Sequence, residues 1–378
     1  MKIEKLVLKT KEEFKLVKNI KINPNLIFLF GSRELLVDEH LSQLLLETFG
    51  SVKLFGCSSS GEISGIEVIE NSIILTAVEL ECSKVQMESI VIDNQVDDHQ
   101  LGTSLLKKFE KKGLKHIFIL SDGLNINGAD LVYTLDDELP KEVNITGGMA
   151  ADGIHFKETV VFNKHGKAVK NCIAALGFYG DCVKVGYGSG GGYDSFGLER
   201  MVTKSKANIL YELDGIPALK YYKHFLGDMA EQLPASGLLY PLSVRENSLQ
   251  EPVVRSVIAI NEEDQSLVFA GNVPEGSYVK LMKSNVDRLI NGAEDAAITA
   301  SKLLPKNKAE LAFLISCTGR KQVLKQLAEE EVEAVSDVIG NDVCITGFYS
   351  YGEISPFRKN MPCMLHNQTM AITTISEK

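Results

Sequence analysis

Apolar positions in this chain cluster into short runs, and the runs recur. Ile27 to Ser32 (IFLFGS), Ile117 to Gly123 (IFILSDG) and Ala312 to Gly319 (AFLISCTG) are each a few consecutive apolar residues closing on small polar ones. Runs of that length without alternation predict strands buried on both faces. A helical pattern follows the first run, with Val37, Leu41, Leu44 and Leu45 on one stripe and Gly50 as its stop. After the third run the stripe is Leu324, Leu327, Ala328, Val332 and Val335, ending at Gly340. The middle copy is shorter, with Leu131 and Leu135 ahead of Pro140. A returning strand closes each unit, so strand, crossover helix and parallel strand make three βαβ patterns.

Each returning strand runs into a glycine loop. Val52 to Gly65 reads VKLFGCSSSGEISG, and Val343 to Pro356 reads VCITGFYSYGEISP. Val143 to Gly153 (VNITGGMAADG) keeps the strand and its glycines without the glutamate. Further strands follow every loop, among them SIILTAVEL, NCIAALGFYG and MLHNQTMAITTIS. The predicted fold class is α/β: two domains of mixed β-sheets with crossover helices, related by an internal pseudo-repeat. A Gly-Ile-Pro start leads into a helical pattern through Leu219, Tyr222 and Leu226, and residues 282 to 304 read as one long amphipathic helix. The expected division is a lead segment 1–24, a first domain 25–212 and a second domain 213–378.

Composition narrows the function. A chain of 378 residues suggests two cores. A net charge of −10, with no basic run interleaved with aromatics, argues against nucleic acid. Charges interrupt every apolar stretch near the N-terminus, and no apolar run approaches the roughly 20 residues that span a bilayer. Seven cysteines without CxxC spacing point to reduced thiols and a cytoplasmic protein.

Several enzyme motifs fail. GYGSGG (Gly186 to Gly191) has the G-x-G-x-x-G spacing but no helix after it, and GCSSSG misses the nucleophile elbow by one residue. No zinc-type histidine pair occurs. A hydrolase-like enzyme built on the glycine loops stays open, and it needs a base within reach of Cys57, Ser58 or Cys317.

The residues that carry candidate chemistry sit on the loops. Glu62 and Glu353 could accept from a ligand ammonium or hydroxyl, or could cap neighbouring N–H groups and hold their turns. Gly56, Gly147 and Gly148 bring backbone close to a ligand, with Cys57, Ser58 and Asp152 beside them. Arg320 could clamp a carboxylate bidentately, or be a surface arginine. Tyr349 and Tyr351 could wall a pocket, or one could pack in the core. Cys57 and Cys317 read as small core cysteines unless a base lies nearby. His366 could coordinate a metal or be a satisfied structural histidine, and His155 is its rival.

Taken together, GCSSSGEI, GGMAADG, LYELDGIPAL, SCTGR and GFYSYGEISPF followed by HNQT resemble the FIST proteins over roughly residues 25 to 374. That resemblance implies FIST N and FIST C domains, which are sensory modules of signal transduction rather than enzymes. Nothing is fused on here, so the output is expected to pass to a separate histidine kinase or cyclic-di-GMP enzyme. The ligand implied is either haem b, as in the stand-alone NosP-type nitric oxide sensors, or an amino acid or related metabolite. The expectation ranks haem first, bound non-covalently because no CxxCH exists, with His366 as axial ligand and His155 as the alternative. A homo-oligomer is left open. The ligand-binding set expected is Gly56, Cys57, Ser58, Glu62, Gly147, Gly148, Asp152, Cys317, Arg320, Tyr349, Tyr351 and Glu353, facing one cavity between the two domains.

Overall fold

The computed structural model describes residues 1–92, 98–246, 252–304 and 308–377. Its plan is one unit repeated three times. Each unit contributes four strands: Lys2–Leu8, Leu26–Gly31, Lys53–Ser58 and Ile73–Glu79 in the first; Lys84–Val91, Leu114–Ser121, Asn144–Met149 and Cys172–Tyr179 in the second; Lys184–Gly190, Leu311–Cys317, Cys344–Ser350 and Met370–Ser376 in the third. The second and third strands of each unit are the parallel pair, and the fourth runs antiparallel between the second and the first. The crossover helices are Glu39–Phe49, Gly128–Glu138 and Ala328–Ile339.

The units exchange hairpins in a ring. The hairpin after the first glycine loop, Glu62–Ser64 with Glu67–Ile69, completes the third unit's sheet. That after the third loop, Gly352–Pro356 with Cys363–His366, completes the second unit's sheet. Val161–Phe162 with Ala168–Val169, after the second loop, completes the first. The α/β class, the mixed sheets, the crossover helices and the internal repeat are as expected, but the repeat is threefold, and every sheet of the repeat draws strands from more than one unit. Within the third unit, the strands from Tyr193–Lys206 to Tyr278–Ser284 form an additional antiparallel sheet with its own core around Tyr222 and Phe269.

Sequence dictates this at three recurring points. Gly56, Gly147 and Gly347 face the preceding parallel strand so closely that an added Cβ would lie 1.9, 1.8 and 1.9 Å from the carbonyls of Leu29, Ile119 and Leu314. No side chain fits there. One residue earlier on those partner strands stand Phe28, Phe118 and Phe313, all buried, which meet in the shared core. Phe313 lies 4.5 Å from Phe28 and 4.9 Å from Phe118 between ring centroids. Burial of these rings at the junction of three sheets is the main apolar term joining the units.

Three local expectations change. The first helical pattern splits into Arg33–Leu36 and Glu39–Phe49, because Asp38 accepts from the His40 N–H and starts a new helix. The third splits into Thr318–Leu324 and Ala328–Ile339, with Lys325 at φ 53° between them. Residues 282–284 belong to the strand Tyr278–Ser284, and the long helix spans Val286–Lys302. GYGSG lies inside a strand. Added Cβ atoms at Gly186, Gly188 and Gly190 would meet carbonyls of that helix at 2.2, 2.5 and 1.9 Å, so these glycines admit a helix backbone rather than a phosphate.

Candidate functional site

Every parallel pair delivers its glycine loop from the carboxyl ends of its strands, and the three loops meet at one pole of the molecule. There the loops interlock. Ser60 N–H donates to the Tyr349 carbonyl at 2.9 Å, Tyr351 N–H to Met149 at 3.3 Å, and Ala151 N–H to Ser58 at 2.9 Å. Aligning the loops on Gly56, Gly147 and Gly347 makes these three bonds equivalent, a ring that ties each unit to the next.

Beside this ring opens a cleft of about 580 Å³, lined by segments of all three units. The first unit contributes Ser32, Arg33, Glu34, Ser59 to Glu62, Glu70 and Asn71; the second Asp152 to His155, Lys157 and Glu158; the third Lys321 and Gln322. Its walls carry both signs of charge. Lys321 donates from Nζ to the Ser60 carbonyl at 2.7 Å, pairs with Glu70, and stands 5.6 Å above the Tyr349 ring. Arg33 pairs with Glu158 at 2.6 Å, and Lys170 pairs with the same carboxylate. Asp152 accepts the Lys157 and Glu158 N–H groups, both at 2.8 Å, together with the Tyr351 hydroxyl. A smaller hollow of about 120 Å³ lies under the stacked rings of Phe156 and Tyr351.

Of the residues expected to bind ligand, Glu62, Asp152 and His155 line this cleft. The others do not, for identifiable reasons. Gly56 and Gly147 serve strand packing, and an added Cβ at Gly148 would strike Ile315 at 2.8 Å. Cys57 is in the apolar core, and burial pushes its thiol well up. Cys317 is buried, its thiol likewise raised by burial. Ser58 Oγ accepts from Val160 N–H at 3.0 Å. Arg320 is neither at a strand end nor at the surface. It sits on the helix Thr318–Leu324, fully buried, and donates from Nε and Nη2 to Glu331 at 3.0 and 2.7 Å and to the carbonyls of Gly191 and Leu289. Tyr349 is buried and donates to the same Glu331 at 2.9 Å. Tyr351 donates to Asp152, so it supports the cleft from behind.

The two glutamates hold the same frame. Glu62 accepts from Ser59 Oγ at 2.5 Å and from the N–H and Oγ of Ser72 at 3.1 and 2.8 Å. Glu353 accepts from Ser350 Oγ at 2.7 Å and from the N–H and Oγ of Thr369 at 3.2 and 3.0 Å. Each therefore locks its loop to the residue just before its own unit's fourth strand. They do not share a cavity: Glu62 reaches the cleft, whereas Glu353 is wholly enclosed.

Burial raises both carboxyls, Glu62 to about 7 and Glu353 to about 8. An acid whose folded pKa is raised stabilises fully below its unfolded value and loses that stability as pH rises through the folded one. Burial lowers His116 to about 3 and His366 to about 4, so these two cost stability only below the ordinary histidine range. The melting temperature is expected to fall between pH 6.5 and 8, and Glu353→Gln should flatten that slope. A wild-type slope unchanged in the variant would remove Glu353 as its source.

The residues expected to hold haem do not fit it. His366 is 1% exposed, is tied through Nε2 to the Ser355 carbonyl at 2.7 Å, and packs 4.2 Å from Phe357. Its Nδ1 lacks a partner, but the ring is enclosed, and iron has no approach to it. His155 lines a cleft walled by charges rather than the apolar faces a porphyrin covers.

Lys321, Ser59, Ser60 and Glu70 were not singled out by the sequence. Lys321 was hidden beside Arg320: on a helix, adjacent residues point about 100° apart, so one turns inward and the other to the cleft.

The chain is an α/β protein whose glycine loops converge beside a polar cleft, and the family it belongs to follows from its sequence. The FIST N domain matches residues 25–216 and the FIST C domain residues 218–356. The chain belongs to the FIST family, whose domains are sensory modules of signal transduction. An uncharacterised protein of Methanocaldococcus jannaschii is 27% identical over 339 residues, covering 79% of this chain and 64% of that protein, so the chain spans about two thirds of its relative's length. Two cyanuric acid hydrolase structures, one from A. caulinodans, align over 100% of this chain and 99% of theirs at 6% identity, with TM-scores of 0.32 and 0.35. Likeness at that level carries no argument, and the fold rests on the topology given above. Among the described residues no helix is long and apolar enough to cross a membrane.

Proposed function

We propose that this chain is a non-enzymatic sensor whose cleft binds a small, polar, doubly charged metabolite of the amino-acid type. The observation that carries this reading is the mixture of charge at one place. Lys321, which pairs with Glu70 and donates to the Ser60 carbonyl, keeps a third N–H for a carboxylate, while the carboxylates of Glu70 and Asp152 line the same cleft of about 580 Å³ and would meet an ammonium. Charge-assisted hydrogen bonds to both ends of a zwitterion are the strong kind available to such a site. The reading against an enzyme is supported by the buried thiols of Cys57 and Cys317 and by Ser58, whose hydroxyl accepts a backbone N–H in place of meeting a base. Because all three units line the cleft, a bound ligand bridges them and favours one arrangement of the ring of loops. In keeping with the family expectation, the listener is a separate histidine kinase or cyclic-di-GMP enzyme in the cytoplasm.

The test is a melting-temperature screen of the protein against the common free amino acids, one at a time, with hemin as a further arm. At least one amino acid should raise the melting temperature in a concentration-dependent way, as binding to the folded state alone requires. A protein that ignores every amino acid and takes up hemin with a Soret band would reverse this assignment.

A further inference from the structure

The three units are joined by two short turns at the pole opposite the cleft. The first runs from Glu79 to Lys84 and the second from Tyr179 to Lys184. They occupy equivalent places in the repeat and both carry a cysteine, Cys82 in one and Cys182 in the other. The antiparallel ladder that pairs Tyr179 with Lys84 brings the turns side by side, and a Cβ built on Gly180 would lie 3.8 Å from the Cys82 carbonyl and 3.9 Å from Ser83 Cα.

The Cys182 thiol is the largest influence on the Cys82 thiol, which it raises, and Cys82 Sγ lies 3.8 Å from the Glu377 carbonyl. Cys82 is exposed and Cys182 half-buried, whereas Cys57, Cys172, Cys317 and Cys363 are buried. The backbone around Cys82 is fixed: the N–H groups of Glu81, Cys82 and Ser83 all donate to the Glu377 carboxylate, at 2.8, 3.2 and 2.7 Å. Two thiols on turns held side by side, with one of them open to solvent, are the arrangement in which an oxidised cysteine meets a resolving partner.

We infer that Cys82 and Cys182 form a reversible oxidation site, closing to a disulfide under hydrogen peroxide. Cys82, the exposed member, attacks a peroxide oxygen as its thiolate, giving a sulfenic acid and releasing water once the leaving hydroxide takes a proton. The Cys182 sulfur then attacks the Cys82 sulfur, the S–S bond forms, and the sulfenic oxygen leaves as a second water. Two thiols are oxidised by two electrons and one peroxide is reduced. The partner thiol and the Glu377 charge hold the Cys82 thiol up at about 11, which keeps the thiolate fraction small and makes the closure faster as pH rises. The bond would tie the turn leaving the first unit to the turn leaving the second, enclosing the whole second unit in a covalent loop. It is independent of what the cleft binds.

Hydrogen peroxide followed by acid trapping, unfolding and peptide mapping tests this on the full chain. The expected result is loss of one thiol pair, a product lighter by two hydrogens, a cross-linked Cys82–Cys182 peptide, and full reversal by dithiothreitol. Cys182→Ser should leave Cys82 trapped as sulfenic or sulfinic acid, and Cys82→Ser should leave Cys182 as a free thiol. Recovery of Cys82 joined to any other cysteine, or overoxidised in the wild type while Cys182 stays a thiol, would overturn the assignment.

Discussion

Replacing Glu331 by glutamine should cost about 3–5 kcal/mol of folding stability, the largest loss expected from any single charge change in this chain. The carboxylate is fully buried and serves four donors from three residues: Nε and Nη2 of Arg320, the Ser316 hydroxyl at 2.9 Å, and the Tyr349 hydroxyl. Glutamine keeps the shape but leaves the Arg320 charge uncompensated in the interior. Arg320 in turn holds the carbonyls of Gly191 and Leu289, so the third unit's first strand and long helix lose their anchor together. Chemical denaturation followed by far-ultraviolet circular dichroism measures this directly, the chain having no tryptophan to report instead. A loss under about 1 kcal/mol would place the pair among weak surface bridges and contradict its enclosure.

Truncating Phe313 to alanine should be comparably severe, again about 3–5 kcal/mol, because the ring is removed from the junction of three sheets and leaves a cavity that rigid strands cannot close. The partners are Phe28 and Phe118, one from each of the other units, with Phe30 a further 6.3 Å neighbour. Phe313→Leu should recover much of the loss by restoring volume. If alanine and leucine proved equally mild, the shared aromatic junction would not be what joins the units.

Much of this architecture was legible before the structure. The three apolar runs, their crossover helices and the closing glycines recur in register, and periodicity and turn chemistry report such local facts faithfully. The number of pseudo-equivalent units was visible in the second loop at GGMAADG, yet its meaning was not. Hairpin exchange pairs Phe348 with Glu62, residues far apart in sequence, and no local pattern encodes which sheet a hairpin will join. The site was legible only in part for the same reason. Glu62 and Asp152 could be picked out because acidic residues in glycine loops are unusual, but Arg320 and Lys321 look alike in SCTGRK until a helix turns one in and one out. His366 stood out as a motif histidine, and the structure buries it against Phe357, away from the cleft.

The proposed ligand is held in the cleft through Lys321. Lysine-to-methionine replacement at this position keeps the length of the stem and removes the charge, and calorimetric titration with whichever amino acid most raises the melting temperature measures the consequence. A charge-assisted hydrogen bond of about 1.5–3 kcal/mol predicts affinity weakened about ten- to hundredfold in Lys321→Met. Affinity within a factor of about two of the wild type, a difference smaller than any such bond, would place the ligand elsewhere and contradict the account.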